Sequence, residues 1–186
     1  MKTFPMFLQM AGRRVTVVGG GEQAAQKVRL LLKTEAQIIV HAEDLDPELE
    51  GLRDAGKITL ASAVVTQADF TDRALVFIAT GCPGADAASH AVAKAAGAVV
   101  NVVDQPDLCD AITPSIVDRD PVVVAIGTEG TAPVLARQIK TKIEQQLEPR
   151  LGDLAALAGR LRDLAANRLG PRDRRDLWRW VFNGPV

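Results

Sequence analysis

The sequence predicts an α/β chain: a parallel sheet with helices on both faces, then a β-hairpin with a helix, then a small helical domain. Three observations carry this. β-Branched runs alternate with amphipathic helical stretches over residues 1–112. A triple-glycine turn stands directly between the first strand and the first helix. Beyond residue 112 the alternation stops, and two adjacent strand-like runs are followed only by helical pattern. The expected divisions are 1–112, 113–148 and 149–186.

The elements follow in order. Arg14-Val15-Thr16-Val17-Val18 is a strand that ends at Gly19. From Glu22 to Lys33 the residues Ala24, Ala25, Val28, Leu31 and Leu32 fall on one helical face. Gln37 to His41 is a second strand, and Asp46-Pro47 opens a helix that ends near Gly56. Ile58-Thr59-Leu60 is a third strand. Ala74 to Ala79 is a fourth, apolar throughout, as expected for burial on both faces. An alanine-rich helix from Ala85 to Ala96 leads to a fifth strand, Ala98 to Val103. Ser115-Ile116-Val117 and Pro121 to Ile126 form a hairpin across Asp118-Arg119-Asp120. Thr131 is expected to cap the next helix, with Pro133 in its first turn. Leu151, Leu154, Leu157, Leu161 and Leu164 make a further apolar stripe, and Gly170-Pro171 precedes the last helix.

Composition excludes several function classes. Lys+Arg 22 against Asp+Glu 23 leaves no basic field for nucleic acid. Aromatic residues are 4% with no tyrosine, too few for a base-stacking platform. No apolar run approaches the ~20 residues of a membrane span. Met1-Lys2-Thr3-Phe4-Pro5 lacks the pattern of a signal peptide, so a cytoplasmic location is expected. Two cysteines, Cys82 and Cys109, and two histidines, His41 and His90, supply neither a disulfide framework nor a permanent metal site. From Leu151 onward there are seven arginines and four aspartates, a solvated face or a rim for a polyanion.

The glycine turn is the strongest local signal. Gly19-Gly20-Gly21-Glu22-Gln23-Ala24 fits G-x-G-x-x-A between a strand and a helix, the dinucleotide-binding arrangement of a Rossmann-type domain. Gly19 allows the turn, Gly21 admits a pyrophosphate, and Ala24 lets helix and strand pack closely. The N–H groups around Glu22 and Gln23 then face the phosphates at the positive end of the helix dipole. Glu43 and Asp44, just past the second strand, stand where an acid grips the ribose, and no arginine follows for a 2′-phosphate. NAD is therefore the expected cofactor.

Parallel sheets bind ligands beyond the carboxyl ends of their strands. Thr80 and Val102 lie at two of those ends and join the candidate cofactor contacts. Asp104 is the only acid directly at the tip of an apolar strand. It reads either as a general base beside the nicotinamide or as an Asx-turn ahead of Pro106. Asn101, inside an apolar strand, needs partners for its amide, from neighbouring backbone or from a ligand. Ser115, Thr128 and Thr131 add candidate substrate contacts, the last two in the Gly127–Pro133 loop with its hydroxyls and free N–H groups.

Taken together, these stretches resemble one family. Phe4-Pro5-Met6-Phe7-Leu8, Val17 to Gly21, Asn101-Val102-Val103-Asp104, Thr113 to Arg119 and Gly130 to Ala136 are similar, in order and spacing, to siroheme synthases. The similarity is to the portion with precorrin-2 dehydrogenase and sirohydrochlorin ferrochelatase activities. It implies NAD-dependent oxidation of precorrin-2 to sirohydrochlorin, then insertion of substrate Fe²⁺. It also implies a homodimer, with the contact in 113–148, and the family's acid/base at Asp104. Gly81 and Glu129 depart from the family, which often has Asn or Asp at the first position and Gly at the second. Dehydrogenase activity alone, or a non-catalytic NAD-binding sensor dimer, are the alternative readings.

Overall fold

A computed structural model describes residues 1–184. They fall into two compact units that divide between Thr113 and Pro114.

In the first unit five strands form one parallel sheet: β1 (Arg14–Val18), β2 (Gln37–His41), β3 (Thr59–Ala61), β4 (Leu75–Ile78) and β5 (Val100–Val102). The spatial order is β3-β2-β1-β4-β5. Chain direction across the sheet therefore reverses between β1 and β4, the switch point where such sheets hold ligands. Helices α1 (Glu22–Leu31) and α2 (Pro47–Asp54) follow β1 and β2, while α3 (Gln67–Phe70) and α4 (Pro83–Ala95) precede and follow β4.

Strand alternation builds a core on each face. Val15, Val17, Val40 and Phe77 pack with Ala24, Ala25, Val28 and Leu49, the α1–α2 side. Val18, Val76, Ile78, Val100 and Val102 pack with Phe70 and Ala93, the α3–α4 side. Ala24 and Ala25 are fully buried. Larger side chains there would hold α1 away from the sheet and displace its N-terminus from the end of β1.

Helix starts follow local chemistry. The Asp46 carboxylate accepts from the Glu48 N–H at 2.9 Å, capping α2 with Pro47 in its first turn. Thr66 and Asp69 close α3, where the Asp69 carboxylate accepts from the Thr66 N–H and hydroxyl, each at 2.8 Å. This single-turn helix is not in the sequence reading, because four residues display no helical period. Other element ends differ from expectation by a residue or two.

In the second unit β6 (Ser115–Arg119) and β7 (Val122–Ile126) form the expected antiparallel hairpin. Helices α5 (Pro133–Gln146), α6 (Leu151–Arg168) and α7 (Pro171–Asn183) follow. Gly152 packs directly on the backbone carbonyls of Arg119 and Asp120, seating the start of α6 on the hairpin turn. Little else in this unit is enclosed. Val134, Leu135, Leu157, Leu161, Leu164 and Trp180 are all exposed. Among the described residues no helix is long and apolar enough to cross a membrane.

Candidate dinucleotide site and the Asp104 carboxylate

The three glycines of the turn meet different demands. Gly19 adopts φ +122°, and a Cβ there would run into the Ala79 carbonyl at the end of β4. At Gly20 a Cβ would strike the Asp44 carbonyl and lie 2.8 Å from the Ala42 Cβ. Backbone bonds keep both approaches tight. The Gly19 N–H donates to the His41 carbonyl at 2.9 Å, and the Asp46 N–H donates to the Gly20 carbonyl at 2.6 Å. Gly21 is different, since a Cβ there would meet nothing. Gly19 and Gly20 thus let the turn nest between the ends of β4 and β2, and Gly21 keeps its outer face open.

That open face fits a dinucleotide phosphate. No side chain caps α1, and its first backbone bond here runs from the Ala25 N–H to the Gly21 carbonyl at 3.0 Å. The N–H groups of Glu22, Gln23 and Ala24 precede it and have no helical acceptor. The Glu22 carboxylate is held to the Arg29 guanidinium at 2.9 Å, and Arg29 also binds Glu48 of α2 at 2.9 Å. Hydrogen bonds from Gln26 and Arg29 keep the Glu22 carboxyl below its ordinary range. Its charge is countered beside the helix N-terminus. Glu43 and Asp44 are exposed on the loop whose backbone touches Gly20. They therefore flank the turn from the β2 side. His41, at the tip of β2, is buried, with Nδ1 2.8 Å from the Ser62 carbonyl. It is part of the scaffold.

At the end of β4, Thr80 is tied inward. Its N–H and hydroxyl both donate to Asp86 Oδ1, at 3.1 and 2.6 Å. The other Asp86 oxygen accepts from Gln105 Nε2 at 3.1 Å. Asp86 is 4% exposed, in the first turn of α4, where the helix dipole favours a negative charge. One buried carboxylate therefore joins the loops after β4 and β5. Asp86→Ala leaves those donors unpaired, and denaturant unfolding should show a loss of ~2 kcal/mol. An unchanged midpoint would show that water serves them equally well.

At the end of β5 the structure gathers Asp104, Gln23, Asn101 and Val102. Val102 is buried, and its N–H and carbonyl are both bonded to the Cys109 Sγ at 3.2 Å. Asn101 pairs with Phe77 across the sheet, on the α1 side, and its Nδ2 donates to the Ala111 carbonyl at 2.8 Å. The backbone reading of Asn101 describes this bond. Asp104 is exposed, has φ +59°, and accepts from Gln23 Nε2 through Oδ2 at 2.9 Å. One turn beyond Gln23, the half-buried Lys27 places its ammonium 5.8 Å from the Phe77 ring centroid. Burial pushes that ammonium's pKa down, while the charges of Asp104 and Cys109 pull it back up.

In the second unit, Ser115 starts β6 opposite Ile126. Thr131 does not cap α5, whose N-cap position is held by Ala132. The Thr131 hydroxyl and N–H turn back to the Thr128 carbonyl, at 2.7 and 2.9 Å, closing their own turn. The helix begins one residue later than the capping pattern implied, which leaves the hydroxyl to that turn.

Comparison with known proteins fits these observations. Residues 6–115 match a family model described as "Putative NAD(P)-binding". Residues 150–186, covering α6 and α7, match one described as "Sirohaem synthase dimerisation region". Siroheme synthases from Methylococcus capsulatus and Pseudomonas putida are 41% and 43% identical over the whole chain. The chain belongs to the family described as "Putative NAD(P)-binding". A siroheme synthase from Neisseria meningitidis is 39% identical over 99% of the chain. The chain spans about 40% of the length of these relatives, 40% of the first two and 38% of the third. A solved structure of SirC, a precorrin-2 dehydrogenase, superposes with a TM-score of 0.73 at 22% identity. The match covers 94% of this chain and 87% of that one, and it shows a shared fold.

Within this putative NAD(P)-binding chain, several residues around Asp104 and Thr80 carry no sequence signal. Asp86 and Lys27 read as ordinary helical surface residues, and Gln105 as a loop residue. Cys109 reads as a small packing residue. Each gains its place through a partner on another segment, such as Gln105 for Asp86 and Val102 for Cys109. The nearest sequence hint is spacing: Lys27 lies four residues after Gln23, on the same face of α1.

Proposed function

We propose that this chain oxidises precorrin-2 to sirohydrochlorin with NAD⁺ and that Asp104 is the general base. The carrying observation is the Gln23–Asp104 hydrogen bond, 2.9 Å, which sets a carboxylate beside the helix of the glycine turn. NAD⁺, when bound, supplies a hydride acceptor. Its phosphates would be held by the N–H groups of Glu22, Gln23 and Ala24, with Glu43 or Asp44 on the ribose. Thr80 and Val102 would shape the nicotinamide end. Asp104 then takes the proton that leaves the macrocycle as the hydride departs. In the second unit, taken by itself, Ser115, Thr128 and Thr131 are proposed substrate contacts, whereas Asn101 keeps its amide on the Ala111 carbonyl. In the second reaction Fe²⁺ enters as substrate while two pyrrole N–H protons leave; the exposed Asp104, having passed its first proton to solvent, accepts one of them and solvent water takes the other.

The test is anaerobic incubation of the chain with precorrin-2, followed by absorbance, first alone, then with NAD⁺, then with Fe²⁺. NAD⁺-dependent appearance of sirohydrochlorin, then an accelerated shift to siroheme, is expected. Arrest at sirohydrochlorin would leave a dehydrogenase only. NAD⁺ binding without turnover would point to a sensor.

The chain is further proposed to pair with a second copy through its second unit, 113–148 and the helices beyond it. The support is the set of apolar side chains that unit leaves exposed, together with the matched dimerisation region. Light scattering should give twice the 19.8 kDa chain mass. Leu161→Glu, on an exposed position of α6, should shift that toward the single-chain mass. A wild-type monomer at micromolar concentration would remove the idea.

A further inference from the structure

We propose that Gln23 is a positioning residue for Asp104, committing one carboxylate oxygen to the protein and leaving the other for the substrate. This rests on the dehydrogenase reading above. Position 23 is one of the unspecified places in G-x-G-x-x-A, so the phosphate cradle itself asks nothing of its side chain. The structure nevertheless brings that side chain, across 81 residues of sequence, onto Asp104 Oδ2 at 2.9 Å. An ionised carboxylate only accepts and the Gln Nε2 only donates, so the bond has one possible polarity. With Oδ2 engaged, Oδ1 is the oxygen positioned to take a proton.

The backbone supports the same arrangement. Asp104 has φ +59°, a left-handed conformation that turns the chain sharply as β5 ends. The Asp86 carboxylate holds the next residue, Gln105, from the other side. Lys27 follows Gln23 by one helical turn, on the same face of α1. Asp104 is thus bonded to a side chain of α1, the helix whose N-terminus fits the cofactor phosphates. Movement of α1 on cofactor binding would therefore move the base as well.

Three variants of the full chain test this: Gln23→Leu, Gln23→Glu and Gln23→Asn. Each is assayed for NAD⁺ affinity by calorimetry, for kcat and KM with precorrin-2, and for the pH–rate profile. Gln23→Leu should lower kcat about 10-fold with NAD⁺ affinity held within two-fold. Gln23→Glu keeps the shape but places two carboxyls at hydrogen-bond distance, where they titrate as a pair. The acid limb of its profile should move up by about one pH unit, a change that loss of packing would not produce. Gln23→Asn, too short to reach, should behave like Gln23→Leu. Wild-type kcat in Gln23→Leu with an unshifted profile in Gln23→Glu would overturn the proposal. So would weakened NAD⁺ binding with unchanged kcat, which would make Gln23 a cofactor contact. Asp104→Asn is assayed alongside. An active wild type, an inactive Asp104→Asn and indifferent Gln23 variants overturn this proposal alone. A wild type that does not oxidise precorrin-2 overturns the dehydrogenase reading itself.

Discussion

Asp104→Asn should lower kcat for NAD⁺-dependent oxidation of precorrin-2 by roughly 10²- to 10⁴-fold, the usual contribution of a positioned base. The change keeps the side chain's size and removes its ability to take a proton at neutral pH. Asp104 is exposed, and among the described residues its side chain accepts from Gln23, so the fold has little to lose. Denaturant unfolding should agree with wild type within about 0.5 kcal/mol. NAD⁺ affinity should also hold, because the phosphate-binding groups are backbone N–H groups of α1. The combination is diagnostic: normal folding, normal cofactor binding, lost oxidation. Asp104→Asn with wild-type turnover would leave the carboxylate as an Asx-turn residue shaping the chain before Pro106.

The glycine turn should divide cleanly into structure and function. Gly20→Ala places a methyl against the Asp44 carbonyl and the Ala42 side chain. Neither neighbour is a flexible chain end, and Asp46 ties the same loop to the Gly20 carbonyl. A loss of ~3 kcal/mol is expected, as for an overfilled site, with weakened NAD⁺ binding as a consequence. Gly21→Ala meets nothing within the protein and has φ −88°, which alanine accepts. It should fold within ~0.5 kcal/mol of wild type, yet bind NAD⁺ about 10-fold more weakly, because its methyl stands where a phosphate must approach. Urea titration and calorimetry on both variants separate these effects. If Gly21→Ala binds NAD⁺ as wild type does, the phosphates do not pass over this face.

Much of this architecture is legible in the chain. The strands and helices around β1 and β4 announce themselves through local periodicity, and the turn through its glycines. What is hard to read is α3, whose four residues are too few for a period and which is closed by Thr66 and Asp69. Thr131 shows the opposite error: a hydroxyl ahead of Pro133 resembles a cap, but the Thr128 carbonyl captures it first.

The sequence by itself determined the alternation of elements, the turn after β1, and the placing of Asp104 at a strand tip. These are properties of neighbouring residues, and short-range sterics and side-chain period are enough to specify them. Only the tertiary structure decided that Gly20 is demanded by the loop after β2, that Asp86 joins two loops, and that Gln23 reaches Asp104. Each of these depends on which strands lie side by side. The order β3-β2-β1-β4-β5 sets β1 between β2 and β4, with β5 next along. Segments far apart in the chain then meet at one end of the sheet, and the pattern of neither segment alone records the meeting.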